Sequence, residues 1–216
     1  MLDFSQARAN MIEGQLRPNR VTDPALLAAV ADLPRENFLP APLKGIAYVD
    51  DDIPLGNGRY LIEPMVLCRL LQDGAVRRTD KVLDIGCATG YSSALLARLA
   101  AQVIALESDE ALLPLARQHL ATAANVKLVS GALEQGWAAE APYDLILVGG
   151  MVEQVPAALT DQLAEGGRLL TVVGNGARGG TARLLQKTAG AVSSRPLFDA
   201  GTPPLPGFLR RATFVF

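Results

Sequence analysis

The run Val82-Leu83-Asp84-Ile85-Gly86-Cys87-Ala88-Thr89-Gly90-Tyr91 carries the strongest chemical signal in the chain. An apolar stretch closes around Asp84, and two glycines follow with the spacing G-x-x-x-G. Glycine at such a turn lets backbone approach a ligand where a Cβ would block it. The spacing is not the G-x-G-x-x-G of dinucleotide binders, whose pyrophosphate needs the amides of a helix N-terminus. A nucleoside bearing a methionine side chain has no such need, and Asp84 can accept hydrogen bonds from its ammonium group. The candidate contacts here are Asp84, Gly86, Cys87, Ala88, Gly90 and Tyr91. Taken alone, the turn also suits an ordinary strand-to-helix connection with two structural glycines.

Glu107 closes a second apolar run, Val103-Ile104-Ala105-Leu106, 21 positions after Gly86. A Rossmann-like sheet places there the carboxylate that accepts hydrogen bonds from both hydroxyls of a ribose. Glu107 and the adjoining Ser108 are therefore candidates, although a glutamate at a helix start also complements the helix dipole. Ser130-Gly131-Ala132-Leu133 follows a third apolar run, where an adenine would lie, and Ala132 and Leu133 are the candidates. Leu145-Ile146-Leu147-Val148-Gly149-Gly150 ends in two glycines, and Gly149 would form the floor beneath a reacting sulfonium.

These residues need a frame. From Lys81 onward, strands at Val82–Ile85, Val103–Leu106, Val126–Val129, Leu145–Val148 and Arg168–Val173 alternate with helices at Tyr91–Leu99, Asp109 to about Thr122, and near Pro156–Ala164. That rhythm predicts right-handed βαβ units and a mostly parallel sheet with helices on both faces. Arg183–Lys187 and Arg211–Phe216 read as two further strands, which makes seven. Upstream, helices are expected at Ser5–Arg17, from a cap at Asp23 with Pro24 at the first helical position, and at Glu63–Val76. The stretch Pro40–Tyr60 reads as an irregular loop threaded with apolar residues. The whole, residues 1–216, is expected to be one domain, with N-terminal helices and a substrate-side loop over 1–78 and a cofactor-binding α/β core over 79–216.

Half of the residues are apolar and 19% are charged, which excludes a generally disordered chain. A net charge of -2 without a basic cluster argues against nucleic-acid binding through phosphate neutralisation. The opening residues lack the pattern of a secretory signal, and no apolar run reaches the roughly 18 residues of a membrane span. Cys68 and Cys87 fit neither a metal-ligand spacing nor a disulfide framework, so no metal is expected and a reducing, cytoplasmic setting fits. His119 is the single histidine and hence the one candidate for a histidine base.

The order of the four elements resembles the class I S-adenosyl-L-methionine-dependent methyltransferases. The resemblance then narrows. Met11-Ile12-Glu13-Gly14-Gln15-Leu16, the stretch Leu33–Pro40 and the stretch Ala47–Gly58 are similar to the N-terminal signature of the protein-L-isoaspartate O-methyltransferase family. With Asp84–Tyr91, Ala141–Val148 and Leu163–Gly174, the similarity covers roughly residues 8 to 175. It implies a Rossmann-like fold with a mostly parallel seven-stranded sheet and an N-terminal helical extension. It also implies methylation of the isoaspartyl carboxylate in damaged protein or peptide, giving an ester that collapses to a succinimide. The acceptor is already ionised, so alignment and desolvation can carry the reaction without a general base. His119 then has a structural place.

The chain departs from that family on the acceptor side. Where the family reads Gly-Gln-Thr-Ile-Ser-Gln-Pro, this sequence has Gly58-Arg59-Tyr60-Leu61-Ile62-Glu63-Pro64. The serine position is Ile62, the threonine position Tyr60, and the second glutamine Glu63. An aliphatic side chain cannot satisfy a buried carboxylate, and an ionised Glu63 close to it would repel it. Arg59 could serve instead, since a guanidinium pairs bidentately with a carboxylate. Arg59, Tyr60 and Ile62 are thus the candidate catalytic positions. The family's adenine-contacting aspartate is replaced by Ala132 and the middle glycine of its first motif by Ala88. The alternatives are a methyltransferase with a different acceptor, and an S-adenosylmethionine-binding or interaction protein that has lost the reaction. The sequence defines no oligomeric state.

Overall fold

The computed structural model describes residues 3–175 and 179–208. Nine strands and six α-helices are formed among them. The N-terminal elements are α1 (Phe4–Met11), which passes into a π-helical turn at Ile12–Leu16, and α2 (Pro24–Asp32). Next come a hairpin of β1 (Ile53–Gly56) and β2 (Arg59–Leu61), and then α3 (Pro64–Asp73). The α/β portion runs β3 (Lys81–Ile85), α4 (Tyr91–Leu99), β4 (Gln102–Glu107), α5 (Leu113–Leu120), β5 (Val126–Ser130), β6 (Tyr143–Val152), α6 (Ala157–Asp161) and β7 (Leu163–Gly174). It closes with β8 (Gly180–Thr188) and β9 (Ala191–Ala200).

The main sheet has seven strands in the order β5-β4-β3-β6-β7-β8-β9. The first five are parallel, and β8 and β9 add antiparallel at one edge. Val82, Leu83 and Ile85 of β3 have no exposed surface, as expected of a strand covered on both faces. The order reverses at β3, whose neighbours are β4 and β6, so its carboxyl end is the crevice where open α/β sheets bind ligands. One apolar cluster joins the N-terminal helices to one face of the sheet through Leu16, Val30, Leu67, Leu71, Leu95 and Leu170. The other face packs a second cluster around Leu83, Ile104, Ile146 and Leu159.

Two expectations are corrected, and one strand forms that was not expected. The stretch Pro40–Tyr60 is not irregular: a 3-10 helix forms at Ala41–Ile46, and Ile53 pairs with Leu61 in an antiparallel hairpin. Its turn is Asn57-Gly58, with φ of 51° and 71°, the left-handed pair that an Asn-Gly turn favours because it matches strand twist. The seventh strand is β9, which follows β8 through Ala189-Gly190; the expected strand at Arg211–Phe216 lies outside the described residues. The helix near Pro156–Ala164 shortens to α6 because Leu163 already pairs with Tyr143. The register then jumps to Leu145–Arg168, so Gly166-Gly167 form a bulge within β7, which starts at Leu163 rather than at the expected Arg168.

Candidate active site

At the carboxyl end of β3 the chain turns back on itself. The amides of Gly86 and Cys87 both donate to the carbonyl of Leu106 on β4, at 2.8 and 3.1 Å. Gly86 and Gly90 have φ of 75° and 95°, and Ala88 has φ of 51° without being glycine. Asp84 is fully buried. Its Oδ2 accepts hydrogen bonds from Ser92 and Ser93 at 2.6 and 2.5 Å, whereas Oδ1 has no partner among the described residues. Burial pushes its pKa up to about 6, and the two serine hydroxyls hold it back from going further.

Glu107 ends the neighbouring strand with no exposed surface. Its carboxylate accepts from the amides of Ala88 (2.7 Å), Ser108 (2.8 Å) and Asp109 (3.0 Å). It also accepts from Arg59, through Nη2 at 2.7 Å and Nε at 3.2 Å. Arg59 is 2% exposed. β2 thus aims it into the crevice, onto Glu107, rather than out toward an acceptor.

The floor is glycine. A Cβ on Gly149 would lie 2.9 Å from the carbonyl oxygen of Gly86, and one on Gly150 would lie 3.0 Å from Leu205. Leu205 belongs to a strap, Pro203 to Phe208, hydrogen-bonded to Met151 in both directions at 2.8 and 3.0 Å. The opening at Gly149-Gly150 arises because β6 carries three residues between Leu147 and Met151 where β7 carries one. A cavity of about 20 Å³ remains, lined by Tyr60, Ile62, Gly86, Ala88, Tyr91 and Gly149 among others.

Outside this cavity, Asp51, Asp52, Tyr60, Met151, Thr202 and Pro203 line an open depression of about 340 Å³. Burial raises Asp52, and burial together with Asp52, Asp50 and Asp51 raises Glu63 to about 7. Behind the wall, Arg35 is fully buried and donates to the carbonyls of Ala47 and Ile62 at 2.8 and 2.7 Å, which fixes the backbone that presents Ile62.

Residues 6–199 match the family model for protein-L-isoaspartate(D-aspartate) O-methyltransferase. The chain belongs to that family. A protein-L-isoaspartate O-methyltransferase of Koribacter versatilis is 38% identical over 94% of this chain and 92% of its own length. The like-named protein of Methanoculleus marisnigri is 37% identical over 93% of this chain and 91% of its own length. Among solved structures, a putative member from Plasmodium falciparum in complex with S-adenosyl-L-homocysteine is 18% identical. It superposes with a TM-score of 0.79 over 96% of this chain and 100% of its own length, a likeness of fold.

Asp84, Gly86, Ala88, Gly149 and Glu107 therefore converge on one crevice, and the Ser108 amide anchors the Glu107 carboxylate. Gly90 is the residue before α4, where an added Cβ would lie 3.1 Å from Leu120, while Tyr91 is buried beneath Arg35, whose guanidinium carbon lies 4.8 Å from its ring centre. Cys87 is a buried thiol held well above its ordinary pKa by burial. Ala132 is exposed and Leu133 buried. His119 faces the Thr89 carbonyl at 2.8 Å and packs on Phe38. Among the described residues no group of three or more histidine, cysteine or acidic side chains could hold a metal, and no helix is long and apolar enough to cross a membrane.

Sequence reasoning passed over Leu205, Asp52 and Trp137, whose ring lies 3.3 Å from where a Cβ on Gly131 would sit. The Asn57-Gly58 pair was the available signal for the hairpin that carries Arg59. The run Pro203-Pro204-Leu205-Pro206-Gly207 marks a loop, but its place over the site depends on the return of the chain after β9.

Proposed function

We propose that this chain is an S-adenosylmethionine-dependent methyltransferase that esterifies the carboxylate of isoaspartyl residues in proteins or peptides. The observation that carries the reading is the pair of buried carboxylates, Asp84 and Glu107, ending adjacent parallel strands around a glycine turn. The unpartnered Oδ1 of Asp84 would take the ammonium of the cofactor, and Glu107 its ribose hydroxyls. Gly86, Ala88 and Gly149 leave the space between them, with Ser108, Leu133 and the Ala132 backbone toward the adenine side. The bound cofactor supplies an electrophilic methyl group on a sulfonium.

The rest is positioning. Tyr60, Leu61, Ile62 and Leu147 wall the cavity and exclude water from the line of transfer. An ionised acceptor brings its own nucleophile, so no side chain needs to remove a proton. The setting that suits this reading is cytoplasmic, with Cys68 and Cys87 as free buried thiols. A methanol-release assay with an isoaspartyl peptide tests it: methyl ester above background is expected. Absence of ester, with S-adenosylhomocysteine demonstrably bound, would exclude the acceptor.

One observation favours a second reading with the same cofactor and another acceptor. Ile62 offers no hydrogen bond, and the depression beyond it is lined by Asp51 and Asp52. In that case Ile62→Ser would raise turnover of isoaspartyl peptide, and no gain would count against this account of lost specificity.

A further inference from the structure

The carboxylate of Glu107 already accepts five hydrogen bonds, two of them from Arg59. A carboxylate offers about four lone-pair sites, so no capacity is left for a ribose diol while Arg59 stays. The guanidinium also rests in the space that glycine clears: Nη2 lies 2.8 Å from where a Cβ on Gly86 would be. Both partners of the ion pair are desolvated, at 2% and 0% exposed. Pulling Arg59 away without a replacement would therefore leave a buried charge unpaired.

We propose that Arg59 is a latch on the cofactor site: it occupies Glu107 in the ligand-free protein, and a ribose must displace it to bind. The inference rests on the cofactor reading above and goes beyond it. The guanidinium can leave without the hairpin unfolding. Among the described residues β1 and β2 pair with each other outside the main sheet, and Ile53 and Leu61 root them in the core, so release requires only a change of the Arg59 side chain beside the Asn57-Gly58 turn. Among the described residues, the tip of the hairpin is held by a side-chain bond from Asn57 to Asp109 at 3.0 Å, and a Cβ on Gly58 would lie 3.3 Å from Pro206. When hydroxyl groups replace the guanidinium on Glu107, its hydrogen bonds are restored and the buried charge stays solvated by donors. Because the competent state is only a fraction of the ligand-free ensemble, apparent affinity is reduced by that fraction.

The test is calorimetric titration of S-adenosylhomocysteine into the wild-type chain, Arg59→Gln and Arg59→Lys, with thermal unfolding of each ligand-free protein. Glutamine cannot pair with the charge of Glu107, so R59Q is expected to bind about tenfold more tightly while melting lower when ligand-free. R59K, which keeps the charge but loses the fork, is expected to fall between, and it carries the test if R59Q does not fold. Wild-type binding equal to or tighter than that of the folded variants would overturn the latch and leave the cofactor reading standing. Binding by none of the three would overturn both.

Discussion

The backbone N–H of Glu63 donates to Asp52 Oδ1 at 2.9 Å, which sets two carboxyl-bearing residues side by side at the entrance to the crevice. Burial and then the charges of Asp52, Asp50 and Asp51 push Glu63 up to about 7, from an ordinary 4.5. Below that pH it is neutral; above it, it adds a negative charge beside Asp52, which lines the depression that the proposed reading gives to a carboxylate acceptor. The KM for an isoaspartyl peptide is expected to rise as pH increases from about 6 to about 8, and to stay flat in Glu63→Gln. Stability follows the same sign. A carboxyl with a raised folded-state pKa contributes stability that is fully present below the unfolded value and lost as pH rises through the folded one. E63Q should thus melt above wild type at about pH 8 by more than at about pH 5, and a constant gap would refute the assignment.

Asp84 predicts a pH dependence of binding with the opposite sense. Its pKa of about 6 in the ligand-free protein means that it is largely protonated at about pH 5. An ammonium group pairs with the ionised form, so binding below that pKa requires loss of a proton. S-adenosylhomocysteine affinity is expected to grow up to about tenfold per pH unit as pH approaches 6, then level off. Titrations in buffers of different ionisation enthalpy should show proton release at low pH. Asp84→Asn should bind weakly at every pH with no such slope; a retained slope would move the effect to another group.

How far the sequence reached follows from the range of each interaction. Asp84, the glycine turn and Glu107 were legible because one local pattern, an apolar strand followed by a turn, fixes where each side chain emerges. The parallel character of the sheet, though not its strand order, was legible because crossover helices of this length leave few other connections. Arg59 was placed on the acceptor side because a resemblance conveys chain order and not rotamer; its partner lies 48 residues away on β4. Leu205 could be read only as part of a Pro- and Gly-rich loop, Pro203–Phe208, because the Gly150 it covers lies 55 residues before it. β9 was missed because its solvent-facing segment Ala191–Arg195 has no apolar alternation and is held by pairing with β8.

Ala88 stands where left-handed backbone would favour glycine, with φ of 51° and its amide spent on Glu107 at 2.7 Å. A Cβ in that region costs roughly 1 kcal/mol or more, which outweighs the chain entropy that glycine adds to the unfolded state. Ala88→Gly is therefore expected to raise stability by about 0.5–1 kcal/mol in denaturant unfolding, with S-adenosylhomocysteine affinity unchanged or improved. A variant less stable than wild type would show that packing of the methyl group, which is 3% exposed, outweighs the backbone strain.

Two glycine-to-alanine substitutions should separate with opposite signs. At Gly149, the added methyl would lie 2.9 Å from the Gly86 carbonyl and 3.1 Å from that of Ile85, and both obstacles are backbone of β3 and its turn. Neither can rotate away, so relief requires β6 and β3 to part. The expected cost is about 2–3 kcal/mol, as for other overpacked cores, together with weaker S-adenosylhomocysteine binding because Gly86 moves with the turn. At Gly14 nothing among the described residues beyond its own helical turn lies within 4 Å of the added methyl, and the residue sits within the helical turn after α1. Gly14→Ala should stabilise by about 0.5–1 kcal/mol through the lower entropy of its unfolded chain, and leave binding unchanged. Paired urea titrations measure both, and a Gly149→Ala variant as stable as Gly14→Ala would disprove the close approach of the two strands at the floor of the site.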